Sequence, residues 1–174
     1  MKQRLLILAM GFLIGAPASA QMRPNVIPQT EVFVGASYYR AGVSNGINMV
    51  GWQTGFDYNV HKHVSVVLDL GGAYKSSSGT TLALYQYMVG PRFKARSGRL
   101  TAFVEGLVGG DAAHVPHPTH GAFATGFGGG LDVSAGRLVS IRILQVDSIH
   151  DHTAGTWGHS LRVGAGVVFK FPKP

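Results

Sequence analysis

The segment Gly51-Trp52-Gln53-Thr54-Gly55-Phe56-Asp57-Tyr58-Asn59-Val60 alternates without a break. Trp52, Thr54, Phe56, Tyr58 and Val60 share one parity, and Gly51, Gln53, Gly55, Asp57 and Asn59 share the other. Successive side chains of a strand point to opposite sides, so this stretch predicts a strand with one apolar and one polar face.

The same parity recurs along the chain. Val64, Val66, Leu68 and Leu70 oppose Ser65, Asp69 and Gly71. Tyr85, Tyr87, Val89 and Phe93 oppose Gln86, Gly90, Arg92 and Lys94, and Leu100, Ala102, Val104 and Val108 oppose Thr101, Glu105 and Gly109. Phe127, Leu131 and Val133 oppose Gly128, Gly130 and Asp132. Val139, Ile141 and Ile143 oppose Ser140 and Arg142 until the alternation slips near Leu144. One extra residue there, a bulge, would return Gln145 and Asp147 to the polar side. The last strand sets Leu161, Val163, Ala165, Val167, Phe169 and Phe171 against Arg162, Gly164, Gly166 and Lys170. A weaker first strand over 31–39 carries Val32, Val34, Ala36 and Tyr38 on one face. That makes eight.

Connections of two lengths are expected to join them. Residues 59–63, 95–98 and 135–136 form short turns, while 40–46, 75–80, 112–121 and 148–156 form longer loops. An even number of strands, with short turns at one end and longer loops at the other, is the pattern of a membrane-spanning barrel of the bacterial outer membrane. Both chain ends then fall on the periplasmic side.

Two eight-stranded barrels alternate alike, and charge placement separates them. A soluble lipocalin-like ligand carrier would be apolar inside and polar outside. Here Asp57, Asp69, Glu105, Asp132 and Asp147 share the polar, glycine-rich faces with Arg92, Lys94, Arg142, Arg162 and Lys170. The opposite faces are uncharged over long stretches and are flanked by aromatics such as Trp52, Tyr58, Tyr85, Phe93, Trp157 and Phe169. An uncharged band with aromatic borders suits lipid. The expected fold is therefore all-β: an eight-stranded antiparallel up-and-down transmembrane β-barrel.

The start of the chain has a different character. Lys2 and Arg4 precede an apolar run over 5–14, and Ala18-Ser19-Ala20 gives a small-residue cleavage pattern. Residues 1–20 are thus expected to be a signal peptide and 21–174 the barrel domain. Beyond residue 20 no stretch approaches the roughly 20 apolar residues of a membrane helix, so strands must do any crossing.

Composition agrees. Hydrophobic residues make up 45% of the 174 and charged residues only 13%, with 25 glycines. No cysteine is present, which removes disulfides and thiolate metal sites. The formal charge of +7 is spread along the sequence, so no basic patch of the kind that binds nucleic acid is expected.

Gly129-Gly130-Leu131-Asp132, Ile141-Arg142-Ile143-Leu144-Gln145-Val146-Asp147 and Leu161-Arg162-Val163-Gly164-Ala165-Gly166-Val167-Val168-Phe169 resemble the bacterial outer-membrane β-barrel family with an OmpA-type transmembrane domain. Val89-Gly90-Pro91-Arg92-Phe93 and Glu31-Val32-Phe33-Val34-Gly35-Ala36-Ser37-Tyr38 are similar to segments of the same family. The resemblance covers nearly all of the chain after residue 20. It implies an architecture and an outer-membrane location, and no reaction. It also implies that Gly166, Phe169 and Phe171 form the signal read by the barrel-insertion machinery.

Candidate chemistry sits in three places. Eight strands enclose a space just wide enough for side chains. There Asp57, Asp69, Arg92, Glu105, Asp132, Arg142, Asp147 and Arg162 would form a charge network, because an isolated charge would be costly. The network either fills the lumen or lines a narrow solute pore. His114, His117 and His120 lie beside Asp111 in the fifth connection, with His150 and His152 in the seventh and His159 following it, residue types able to gather Zn²⁺ or Cu²⁺. His159-Ser160 with Glu105 supplies the residue types of a hydrolase, although Glu105 belongs mid-barrel. The run Gly126-Phe127-Gly128-Gly129-Gly130 lies within a strand, with no helix following, so it is no nucleotide loop. Its glycines make room for neighbouring lumen side chains. The expectation is a monomeric barrel in contact with outer-membrane lipid, with no cofactor and no enzymatic role, acting structurally or through its extracellular loops.

Overall fold

The computed structural model describes residues 27–42, 46–77, 80–114, 120–153 and 156–172. Eight strands run through them: β1 (Thr30–Ala41), β2 (Ile47–His61), β3 (Val64–Ser77), β4 (Thr80–Ser97), β5 (Leu100–His114), β6 (His120–Ser134), β7 (Val139–Thr153) and β8 (Thr156–Phe171). Each pairs antiparallel with its neighbour in sequence, and β1 pairs with β8, from Thr30 opposite Phe171 to Ala41 opposite Ser160. Closure leaves no sheet edge with unpaired backbone groups, which hydrocarbon would not tolerate.

The alternation read from the sequence is the alternation of the wall. Gln53, Asp57, Ser65, Asp69, Arg92, Lys94 and Glu105 are buried inside, while Trp52, Phe56, Tyr58, Val66, Leu68, Phe93 and Val104 are exposed outside. This is the reverse of a lipocalin-like carrier, and that alternative is set aside. On β7 both Ile143 and Leu144 face outward, and the register against β8 shifts between Arg142 and Gln145. The bulge restores the inward parity of Gln145, Asp147 and Ile149.

The connections differ from expectation. Only residues 78–79 separate β3 from β4, and only 154–155 separate β7 from β8. Segments 75–80 and 148–156, expected as loops, are mostly paired strand. Their polar composition reflects strands that run on past the apolar band, where the outer face carries Asn48, Ser76, His150 and His159. The barrel therefore projects from lipid at this end as paired hairpins rather than long loops. At the other end the turns are tight, and Gly98 takes φ +58° in the β4–β5 turn, a region that suits glycine.

Candidate functional site: the barrel interior

The lumen is filled in three tiers, ordered from the turn end by the register of the strands. The first is a recess of about 760 Å³ among the turns, lined by Lys62, Arg96, Arg99, Arg137 and Lys170.

The second tier is one connected polar network that contains all eight lumen residues expected from the sequence. Lys94 Nζ lies 2.6 Å from Glu31 Oε2 and 3.1 Å from Asp57 Oδ1. Arg92 Nη1 reaches Asp57 Oδ2 at 2.6 Å, and its Nη2 lies 2.5 Å from Glu105 Oε2. Gln145 Nε2 donates to Glu105 Oε1 at 2.9 Å and to Asp147 Oδ2 at 3.0 Å, while Gln145 Oε1 accepts from Arg142 Nη1 at 2.7 Å. Arg142 Nε pairs with Asp132 Oδ1 at 2.8 Å. Arg162 spans Asp147 Oδ2 at 2.8 Å and Asp69 Oδ1 at 2.7 Å, and Gln53 Nε2 closes the far end on Asp69 Oδ2 at 2.6 Å. Charges taken out of water at this depth need partners, and the network gives each of them at least one oppositely charged neighbour, although Gln53 Oε1 and Asp147 Oδ1 accept no hydrogen bond.

Two rings hold the guanidinium planes in place. Arg142 Cζ lies 4.3 Å from the centre of the Phe33 ring and 4.4 Å from that of Phe103, and Arg92 Cζ lies 4.3 Å from Phe103 on its other contact. Stacking of this kind favours arginine over lysine, because the guanidinium is flat and weakly hydrated. Glycines make the space. A Cβ at Gly130 would meet Phe103 Cζ at 2.7 Å, and one at Gly166 would meet the Phe33 ring at 2.9 Å. The periodicity of the sequence did not reveal these rings, because an aromatic at a polar-face position breaks the pattern it was scored by. The glycines at matching positions of adjacent strands were the available signal.

The third tier is apolar. Tyr39, Met49, Val67, Ala73, Met88, Leu107, Ala124 and Ile149 form a buried cluster inside the barrel, above the network. Sequence reasoning missed it for the same reason: Met49, Met88, Leu107 and Ile149 stand at lumen-facing parity, where polar residues were expected. Beyond it, Gln86 Nε2 donates to Tyr39 Oη at 3.3 Å, and Asp111 is buried nearby.

The other candidates separate. His117 lies outside the described residues, as do the side chains of His114 and His120, so the metal-ligand set has no described geometry. Among the described residues no group of three or more metal-ligating side chains converges. His150 and His159 stack on the outer face, with ring centres 4.6 Å apart, and His159 Nε2 lies 2.8 Å from Ser148 Oγ. Ser160 is buried on the inner face, so His159 and Ser160 stand on opposite sides of the wall and form no catalytic pair. Gly166 faces inward beneath Phe33, whereas Phe169 and Phe171 face outward at the turn end of β8.

Around the outside, exposed Val34, Phe56, Leu68, Val89, Val104, Phe127, Ile143 and Val146 form a continuous uncharged band. Such a surface on a closed barrel belongs in hydrocarbon.

The sequence matches no family profile and no curated protein. The fold has clear likenesses among solved structures. Neisserial surface protein A superposes with a TM-score of 0.70 at 14% identity, over 82% of this chain and 97% of that one. Ail, the attachment invasion locus protein of Yersinia pestis, gives 0.53 at 12% identity, over 82% and 99%. The N-terminal β-barrel domain of Pseudomonas aeruginosa OprF gives 0.52 at 13% identity, over 83% and 100%. At these identities the likeness is one of fold. Taken with the lipid-facing band and the closed eight-stranded sheet, it makes this chain an eight-stranded β-barrel of the bacterial outer membrane.

Proposed function

We propose that this barrel is a non-conducting, non-enzymatic scaffold that acts structurally or by surface interaction through the hairpins projecting from lipid. The observation that carries this reading is the apolar tier of Tyr39, Met49, Met88, Leu107 and Ile149 across the lumen. An ion leaving the charged network would have to shed its water to pass these side chains, and a dry apolar constriction is a closed gate. The network beneath offers no slack, since its arginines each engage two or more buried partners. The reading includes a monomer delivered by a cleaved signal peptide over residues 1–20 and inserted through the β8 end, Gly166, Phe169 and Phe171.

Planar-bilayer recording of the refolded protein tests it. Bilayers that stay silent after demonstrated insertion support a sealed scaffold. Stepwise conductance that changes with Arg142 or Glu105 substitution would instead establish the narrow solute pore. The surface role is tested by replacing the tips of the β1–β2 and β5–β6 hairpins with short Gly-Ser turns. Loss of cell-surface binding with an intact, heat-modifiable barrel is the expected result.

A further inference from the structure

All eight acids of the chain lie within the barrel wall or lumen, and none lies in a turn. Glu31, Asp57, Asp69, Glu105, Asp132 and Asp147 belong to the network, and Asp111 and Asp151 lie on β5 and β7 towards the hairpin end. The turns themselves carry cations and no acid. Lys62 occupies the β2–β3 turn, Arg99 the β4–β5 turn and Arg137 the β6–β7 connection, and Arg96 and Lys170 line the same recess. Two acids reach its wall, Glu31 and Asp132, and each is already paired, with Lys94 at 2.6 Å and Arg142 at 2.8 Å. Among the described residues Lys62, Arg99 and Arg137 have no carboxylate partner.

No acidic side chain outside the strands supplies one. Residues 1–30 contain no Asp or Glu, and neither do residues 152–174 or the segments between described strands. A second copy would present the same cationic end. An external anion would supply the counter-charge that these side chains lack.

From this we infer that the recess is a binding site for a solute-sized polyanion carrying two or more phosphate or carboxylate groups, taken from the periplasmic side. The turn end is the periplasmic end in barrels of this class. The recess is concave, of a size that holds a small molecule, and its lining ends inward at Glu31 and Asp132, which buried Lys94 and Arg142 hold, so it is a blind pocket rather than a passage. It opens along the barrel axis, inside the ring of turns, whereas bilayer headgroups lie outside that ring. Arg99 and Arg137 offer planar forks suited to two-point contact with phosphate or carboxylate, and Lys62 adds a mobile point charge, while Arg96 is engaged by Glu31 and Lys170 by Ser134.

The test is calorimetric titration of the full barrel, in nanodiscs of zwitterionic lipid at about 0.15 M salt, with inorganic pyrophosphate and separately with citrate. Saturable binding of one anion per barrel is expected, weakened about tenfold or more by the combined Lys62→Ala, Arg99→Ala and Arg137→Ala change. Binding of pyrophosphate alone assigns the phosphate class, of citrate alone the carboxylate class, and of both a general polyanion site. Should the triple variant not fold, Arg99→Gln must weaken binding several-fold while Lys75→Gln, at the opposite end, leaves it unchanged. Absence of saturable binding by either anion overturns the inference, as does an equal loss from Lys75→Gln, which would show a response to net charge only. Binding that appears only with anionic lipid in the disc, uncompeted by the soluble anions, overturns it as well.

Discussion

Gln145 donates to Glu105 across the lumen at 2.9 Å, and that bond joins the Arg92 half of the network to the Arg142 and Arg162 half. Gln145 occupies this position because the bulge at Ile143 and Leu144 turned it inward. A local irregularity of one strand thus sets the connectivity of the whole interior.

Deleting Leu144 removes the extra residue and leaves plain alternation from Arg142 onward, with Gln145, Asp147 and Ile149 still inward. The compact, faster-migrating band of an unboiled sample is expected to persist on a gel, and its loss would show that the bulge itself is required. Gln145→Leu keeps the register and cuts only the link. It should lower the coupling energy between Arg92 and Arg162 substitutions, which a double-mutant cycle reads at about 0.5–3 kcal/mol for residues sharing a network.

Arg92→Ala leaves Glu105 buried without its cation and Asp57 with Lys94 alone. Breaking a buried pair from one side costs about 3–5 kcal/mol, measurable by urea unfolding in detergent micelles. Adding Asp57→Asn and Glu105→Gln to Arg92→Met should recover a large part of that loss, because the stranded charges are then gone.

Gly130→Ala sets a methyl group against the Leu144 carbonyl and the Phe103 ring and should destabilise the barrel by about 1–3 kcal/mol. Phe103→Leu should relieve the part of the Gly130→Ala defect that comes from the ring, while weakening the seat of both Arg92 and Arg142. Equal destabilisation by Gly130→Ala in the presence and absence of Phe103→Leu would show that the ring is not the obstacle.

Conductance separates the two barriers in the lumen. Met88→Ala with Leu107→Ala thins the apolar tier yet leaves the network in place, so bilayers should stay silent. Combining those changes with Arg142→Ala should produce measurable conductance. A current from the apolar pair alone would assign the seal to that tier.

Val104→Arg puts a charge in the middle of the uncharged band and should cost about 2–4 kcal/mol in lipid. His159→Arg, on the outer face beyond the band, should be close to neutral. The comparison is made by refolding both variants into the same vesicles and measuring their urea midpoints.

The wall of the barrel was legible residue by residue, and for one reason: lipid outside and charge inside impose opposite demands on neighbouring positions. Trp52 and Gln53 carry that contrast without ambiguity. The Leu144 slip was legible too, since a bulge leaves two apolar neighbours in a row. The interior was legible only in part. Asp57 and Arg92 could be placed in the lumen by parity, yet which acid meets which base depends on the stagger between β2 and β4, and parity is silent on stagger. Met49, Met88, Leu107 and Ile149 were hidden because an apolar side chain reads as lipid-facing wherever alternation is weak. Lys75-Ser76-Ser77 looked like a loop because strands that leave the membrane gain polar outer faces while keeping their backbone pairing. The loop expected over 112–121 is shorter, since His114 ends β5 and His120 begins β6, and of the His114, His117 and His120 set only His117 lies wholly outside the described residues.

The pairing of Thr30 with Phe171 joins the two ends of the described chain, and it has a consequence for how the protein comes into being. Every other hairpin can form from residues close together in sequence, but this seam needs the first and last strands at once, across the longest loop the chain can close. Its inward pairs are small, Gly35 opposite Gly166 and Ser37 opposite Gly164, so side-chain attraction across it comes from outward pairs such as Val32 with Phe169 and Val34 with Val167. Until β8 arrives, β1 and β7 are bare edges able to pair with any other chain. A ribosome that stalls before residue 156 would therefore release an aggregation seed rather than a smaller barrel.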